Sequence, residues 1–136
     1  MIVCNVQTFL INSISAVSEE MRGQIVITGS HGGVSAAHLA LAHPPALVVF
    51  NDAGFGLDNA GSVGLEILQS ANVAACTVSH QSARIGEAAS TLASGRISAV
   101  NALAAARGIA VEQSCDEAIN FYMKALFHMS KPEQKL

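Results

Sequence analysis

Ile25-Val26-Ile27-Thr28 runs directly into Gly29-Ser30-His31-Gly32-Gly33, and a helix-like stretch from about Val34 to Ala42 follows. An apolar run without alternation reads as a strand covered on both faces. The same unit occurs twice more. Ala46-Leu47-Val48-Val49-Phe50 runs into Asn51-Asp52-Ala53-Gly54-Phe55-Gly56, then a helix near Asn59–Ala71 with an apolar stripe of Ala60, Gly64, Ile67, Leu68 and Ala71. Val73-Ala74-Ala75-Cys76-Thr77-Val78 runs into Ser79-His80-Gln81-Ser82-Ala83-Arg84-Ile85-Gly86. Buried strands alternating with helices predict a three-layer, Rossmann-like α/β domain with a mainly parallel sheet of four or five strands. Parallel strands bring their carboxyl ends to one edge, so the three polar loops are expected to meet where α/β proteins bind ligands.

The flanking sequence fits around that centre. Residues 2–11 read as a half-exposed edge strand, with Asn5 and Gln7 on one face and Cys4 and Val6 on the other. Ser13 to Met21 reads as a short helix capped by Ser13 or Ser15 and stopped at Gly23. Asp58 or Asn59 is the expected cap of the helix after the second strand. Beyond Gly86 the pattern predicts helices over Glu87–Ala93 and Arg96–Arg107, the latter ended by Gly108, then a short strand at Ile109-Ala110-Val111. Ser114-Cys115-Asp116-Glu117 is a capping box opening a last helix to about Met129. That helix is apolar on much of its circumference, which suits packing on the core and on a partner subunit, or complete burial in one chain.

At 136 residues the chain is expected to form one domain, spanning 1–136. Hydrophobic residues make up 51% and charged residues 12%, against about 25% charged in an average soluble domain. So little charge on a small protein predicts that part of the surface is covered by a second copy, most simply as a homodimer. A merely neutral surface rich in Ala, Ser and Gly is the alternative. The net charge of −3 and the lack of a basic stripe argue against nucleic acid. The start, Met1-Ile2-Val3-Cys4-Asn5, lacks the basic segment of a signal peptide. The longest low-charge stretch, Val34–Phe50, is broken by His38, His43, Pro44 and Pro45, so no membrane span is expected. Cys4, Cys76 and Cys115 are scattered without metal spacing, as suits free thiols in a reducing cytoplasm.

The loops supply the candidate chemistry. Glycines between a strand and a helix let backbone amides converge, so Ser30, Gly32 and Gly33 are expected to bind an anion at the helix start. Their spacing is neither the dinucleotide fingerprint nor the P-loop, and no cofactor follows from it. His31 and Asp52 stand at the ends of successive strands. A carboxylate that fixes an imidazole tautomer makes a general base, so these two are the expected acid–base pair. Ser82, with Ser79 as the other choice, is the expected nucleophile or hydrogen-bonding partner. Asn51, Ser79 and Arg84 complete the ligand set, Arg84 as a clamp for a carboxylate. Asp52 bracing its own loop and Arg84 pairing with Glu87 are the structural alternatives. A zinc version built on His31, Asp52 and His80 has enough ligand types but no metal spacing, and no metal is assigned.

Gly32-Gly33-Val34-Ser35-Ala36-Ala37-His38 is similar to the glycine–histidine run of phosphohistidine swivelling domains. The histidine falls one position late, and those domains are not built of successive parallel units. The runs Ser13–Val17, Gly29–Gly33, Phe50–Gly54 and Ser82–Gly86 together resemble small bacterial α/β proteins with no assigned activity. That resemblance implies the fold and no catalytic residues. Two functions follow from the residues themselves. One is a small-molecule enzyme acting on an anionic metabolite, with His31 and Asp52 moving a proton. The other is a non-catalytic metabolite-binding sensor or accessory subunit.

Overall fold

The computed structural model describes residues 6–54 and 62–130. Five strands form one sheet in chain order: β1 (Thr8–Ile11), β2 (Ile25–His31), β3 (Leu47–Asn51), β4 (Ala74–Val78) and β5 (Ile97–Val100). β1 to β4 are parallel, and β5 runs antiparallel to β4. Every residue of β3 and β4 is buried, as apolar runs without alternation require. The expected centre of the fold is therefore present: a three-layer α/β architecture with a mainly parallel sheet.

The two sides of the sheet carry different helices. Val26, Val48, Phe50 and Ala75 face a cluster with Ile14, α1 (Val34–Ala40) and α2 (Gly64–Ser70). Ile25, Ile27, Leu47, Val49, Cys76 and Val78 face the other cluster. That cluster takes in Ala104 of α4 (Ala102–Ala106) and Cys115, Ala118, Ile119 and Tyr122 of α5 (Cys115–Ser130). On this side α3 (Ala88–Ser94) lies over β2 and against α5. The chain leaving β1, β2 and β3 thus passes to one face, whereas the chain leaving β4 passes to the other.

Several local readings hold. Ser13 caps a 3₁₀ turn at Ile14–Ala16 by accepting from the Ser15 amide at 3.2 Å, and a second 3₁₀ turn covers Glu19–Met21. Two tight turns thus stand where one short helix is expected. The capping box at the start of α5 is reciprocal: the Glu117 amide donates to Ser114 Oγ at 3.1 Å, and the Ser114 amide to Glu117 Oε1 at 3.0 Å. Within α5, Phe121 and Phe127 are exposed, so burial in one chain is incomplete. The expected caps Asp58 and Asn59 lie outside the described residues, as do Met1–Asn5 of the first strand.

Two expectations fail. Arg96–Arg107 is not a single helix, because Ile97–Val100 forms β5 and only Ala102–Ala106 is helical. The open edge of β4 offers Ile97 and Ala99 a ladder against Val78 and Thr77, and tertiary pairing outweighs helix propensity. Buried Asn101 ends the strand. Its side-chain oxygen accepts from the amides of Ala75 and Ala104, and its amide group donates to the carbonyls of Leu65 and Val73. No strand forms at Ile109–Val111. Residues just beyond make the contact instead, with the Glu112 amide donating to Ile97 and the Ile97 amide to Gln113.

Candidate functional site

The Gly29–Gly33 loop is occupied by its own protein. β2 takes a bulge here, since Ile27 pairs with Val49 but His31 pairs with Asn51. Thr28 Oγ1 donates to the Val49 carbonyl at 3.0 Å and accepts from the Ser30 amide at 3.1 Å, which turns Gly29 out of the ladder. There Gly29 meets the chain entering α3, and the Gly86 amide donates to its carbonyl at 2.7 Å. A β-carbon at Gly29 would lie 2.2 Å from the Glu87 nitrogen. The Gly32 amide donates to Asn51, its carbonyl accepts from Gly64, and Ser30 Oγ accepts from the Ile14 amide. The amides of Ser30 and Gly32, expected to hold an anion, are thus spent inside the fold. His31 is exposed, and its side chain has no hydrogen bond among the described residues.

Asp52 is engaged elsewhere. It is 2% exposed. Its Oδ1 accepts from the amides of Gly54 (2.7 Å) and His80 (3.0 Å), and lies 3.3 Å from Nδ1 of the His80 ring. The carboxylate therefore pairs with His80, the histidine of the next loop, and not with His31. The reason is the routing of the chain. The loop after β2 is closed by Gly64 and by the chain entering α3, whereas Asp52, Gly54 and the start of the loop after β4 face an open crevice. Gly54, at φ 76°, admits the His80 ring, whose Cε1 lies 3.4 Å from where a β-carbon would stand. Nδ1 lies close to the Asp52 carboxylate without a hydrogen bond between them, and the His80 side chain is 45% exposed.

A cleft of about 530 Å³ opens at this place, lined among others by Asp52, Ser79, His80, Arg96, Ser98 and Glu112. It runs from the ends of β3 and β4 across to the start of β5. Ser82 also lines it, but its hydroxyl donates to the Ser79 carbonyl at 2.7 Å and accepts from the Arg96 amide at 2.9 Å. That hydroxyl ties two main-chain groups of the wall together, and the Ser82 side chain bonds to no histidine among the described residues. Ser79 Oγ accepts from the Gln81 amide, in a turn of the same wall. Asn51 donates to the Ala83 carbonyl and accepts from the Ala53 amide, so it too fastens one loop to the next.

Arg84 stands outside this cleft. Its guanidinium is 80% exposed and lies 3.9 Å from Glu87, beside a shallower hollow of about 270 Å³ that also includes Ser90 and Ser94. Among the described residues no group of histidine, cysteine and carboxylate side chains is arranged to hold a metal. Among the described residues, the thiols of Cys76 and Cys115 are no substitute nucleophiles, because burial pushes Cys76 well up and Cys115 to about 12.

The structure thus brings Asp52, Ser79 and Ser82 together, leaves Ser30, His31, Gly32, Gly33, Asn51 and Arg84 out of the cleft lining, and adds His80, Arg96, Ser98 and Glu112. His80 carried a visible signal, being a histidine at a strand end. Arg96 and Glu112 carried none, because their nearness depends on β5 being a strand. Compared with protein-family models, with curated proteins and with solved structures, the chain matches none.

Proposed function

We propose that this protein binds a small anionic metabolite in the cleft at the ends of β3 and β4, and that His80, oriented by Asp52, moves a proton to or from it. The supporting observation is the Asp52–His80 pair: a buried carboxylate 3.3 Å from Nδ1 of a half-exposed imidazole at a cleft wall. In this reading a modest shift of the ring brings Nδ1 onto the carboxylate, which then holds the tautomer and leaves Nε2 to act as base or acid. Arg96, on the opposite wall, is the group that holds the anion. The chemistry we favour is proton transfer, with the Ser82 hydroxyl bonded to the main chain and Cys76 and Cys115 buried away from the cleft.

A second reading is a non-catalytic sensor or accessory subunit using the same cleft. The wall hydroxyls of Ser79 and Ser82 are both tied to the main chain, which favours a binding surface over a reaction centre. Ring-proton NMR of His80, titrated with small carboxylates and inorganic phosphate, tests the shared part. Shifted His80 signals with an unchanged His31 are the expected result, and unchanged signals at both histidines defeat both readings. His80→Ala separates them: an enzyme loses turnover and keeps the ligand, while a sensor has no turnover to lose.

We further infer a homodimer in a reducing cytoplasm. Low surface charge supports the dimer, and so does the edge of β1. The Gln7 carbonyl accepts from Ile25, and parallel ladders alternate, so the main chain of Thr8 and Leu10 faces away from β2. Among the described residues no helix is long and apolar enough to cross a membrane.

A further inference from the structure

The far wall of the cleft carries two opposite charges that do not neutralise each other. Arg96 directly precedes β5, and Glu112 lies on the segment beside it, its amide donating to the Ile97 carbonyl at 2.8 Å. Nη1 of Arg96 donates to the main-chain carbonyl of Glu112 at 2.7 Å, which holds the guanidinium next to residue 112. Yet neither charged group belongs to any ion pair among the described residues. Both residues line the cleft.

Two further features point the same way. Glu112 has φ of 82°, in the left-handed region that an L-residue rarely adopts and glycine adopts freely. Strain of that kind gathers where a side chain has to be presented to a ligand. The charge of the lining also matters. It holds two carboxylates, Asp52 and Glu112, against the one guanidinium of Arg96, with His80 opposite. A purely anionic ligand would meet repulsion from the carboxylates, whereas a ligand with both charges would be complemented.

We propose that the Arg96–Glu112 wall recognises the neighbouring carboxylate and ammonium of a free amino acid. Arg96 takes the carboxylate on the donors it does not spend on the Glu112 carbonyl, and the Glu112 carboxylate accepts from the ammonium. The remainder of the molecule then points across the cleft toward His80. This inference rests on the cleft being the ligand site and narrows its ligand from an anion to a zwitterion.

The test is calorimetric titration of the full chain with each of the twenty common L-amino acids. The tightest is then compared with its deaminated acid and its decarboxylated amine, and His80 ring signals are followed throughout. Glu112→Gly is the variant of choice, because glycine suits φ near 82° and the fold is retained. One amino acid is expected to bind at least about tenfold tighter than its deaminated acid. Glu112→Gly is expected to erase that margin by removing a charge-assisted hydrogen bond. An acid that binds as tightly as its amino acid, or a variant that keeps the margin, overturns the zwitterion and leaves the cleft standing. If no amino acid binds while propionate or inorganic phosphate still shifts His80, the outcome is the same. Silence from every one of these compounds removes both the zwitterion and the cleft.

Discussion

The loop after β2 and the pair of loops after β3 and β4 sit on the same edge of the sheet and do opposite things. The first is the richer in glycine and looks built for a ligand, yet its space is filled by the chain entering α3, with Gly86 bonded to the Gly29 carbonyl. The second carries ordinary polar residues, yet it encloses the cleft and holds the Asp52–His80 pair. Glycine reports that something comes close to the backbone. Whether that neighbour is a ligand or another part of the chain depends on where the following segment goes. Here the segment after β4 reaches back over the end of β2 before entering α3, and fills the first loop while leaving the second open.

Four substitutions sharpen or break this contrast. Gly29→Ala should have the largest effect, since the new methyl group runs into the main chain of Gly86 and Glu87 at 2.4 and 2.2 Å. About 3 kcal/mol of lost stability is expected by denaturant unfolding, at the upper end of ordinary overpacking. A loss below about 0.5 kcal/mol, the usual size of a surface change, would mean the loop is open and would restore it as a ligand site. Asp52→Ala comes next, at about 2 kcal/mol, because the amides of Gly54 and His80 lose a charged acceptor. This change should also broaden or shift the His80 ring signals, which Gly29→Ala should leave alone.

Ser82→Ala should destabilise by about 1 kcal/mol, as one neutral hydroxyl bridging two main-chain groups is lost. If it abolished turnover of a ligand that still bound, Ser82 would regain the chemical role that its hydrogen bonds deny it. His31→Ala should be the smallest, within about 0.5 kcal/mol and without effect on ligand binding, as for an exposed side chain away from special features. A loss of ligand affinity in that variant, measured by the same titration, would bring the first loop back into the site.

The contrast also separates what was legible from what was not. The three buried strands, the capping box at Ser114 and Glu117 and the shared edge of the loops follow from local patterns, since burial on both faces forbids alternation and a cap is a contact between near neighbours. His80 was within reach as a histidine at the end of β4, but nothing local ranked it above His31. The sequence places Arg96 in a helix, because Ser98, Ala99, Asn101 and Ala102 have no pattern that marks a strand. The open edge of β4, whose residues pair with β5 across 19 to 24 positions, decides otherwise.

By itself the sequence determined the class of fold, the identity of the core strands and the edge where polar loops gather, because each of these depends on residues within a few positions of one another. Only the tertiary structure decided which side of the sheet each helix takes, and so which loops part, which histidine Asp52 holds and how Arg96 comes to face Glu112. Those outcomes rest on contacts between segments far apart in the chain. Crossing to one face or the other buries the same kinds of residues, so composition and spacing leave no trace of the choice.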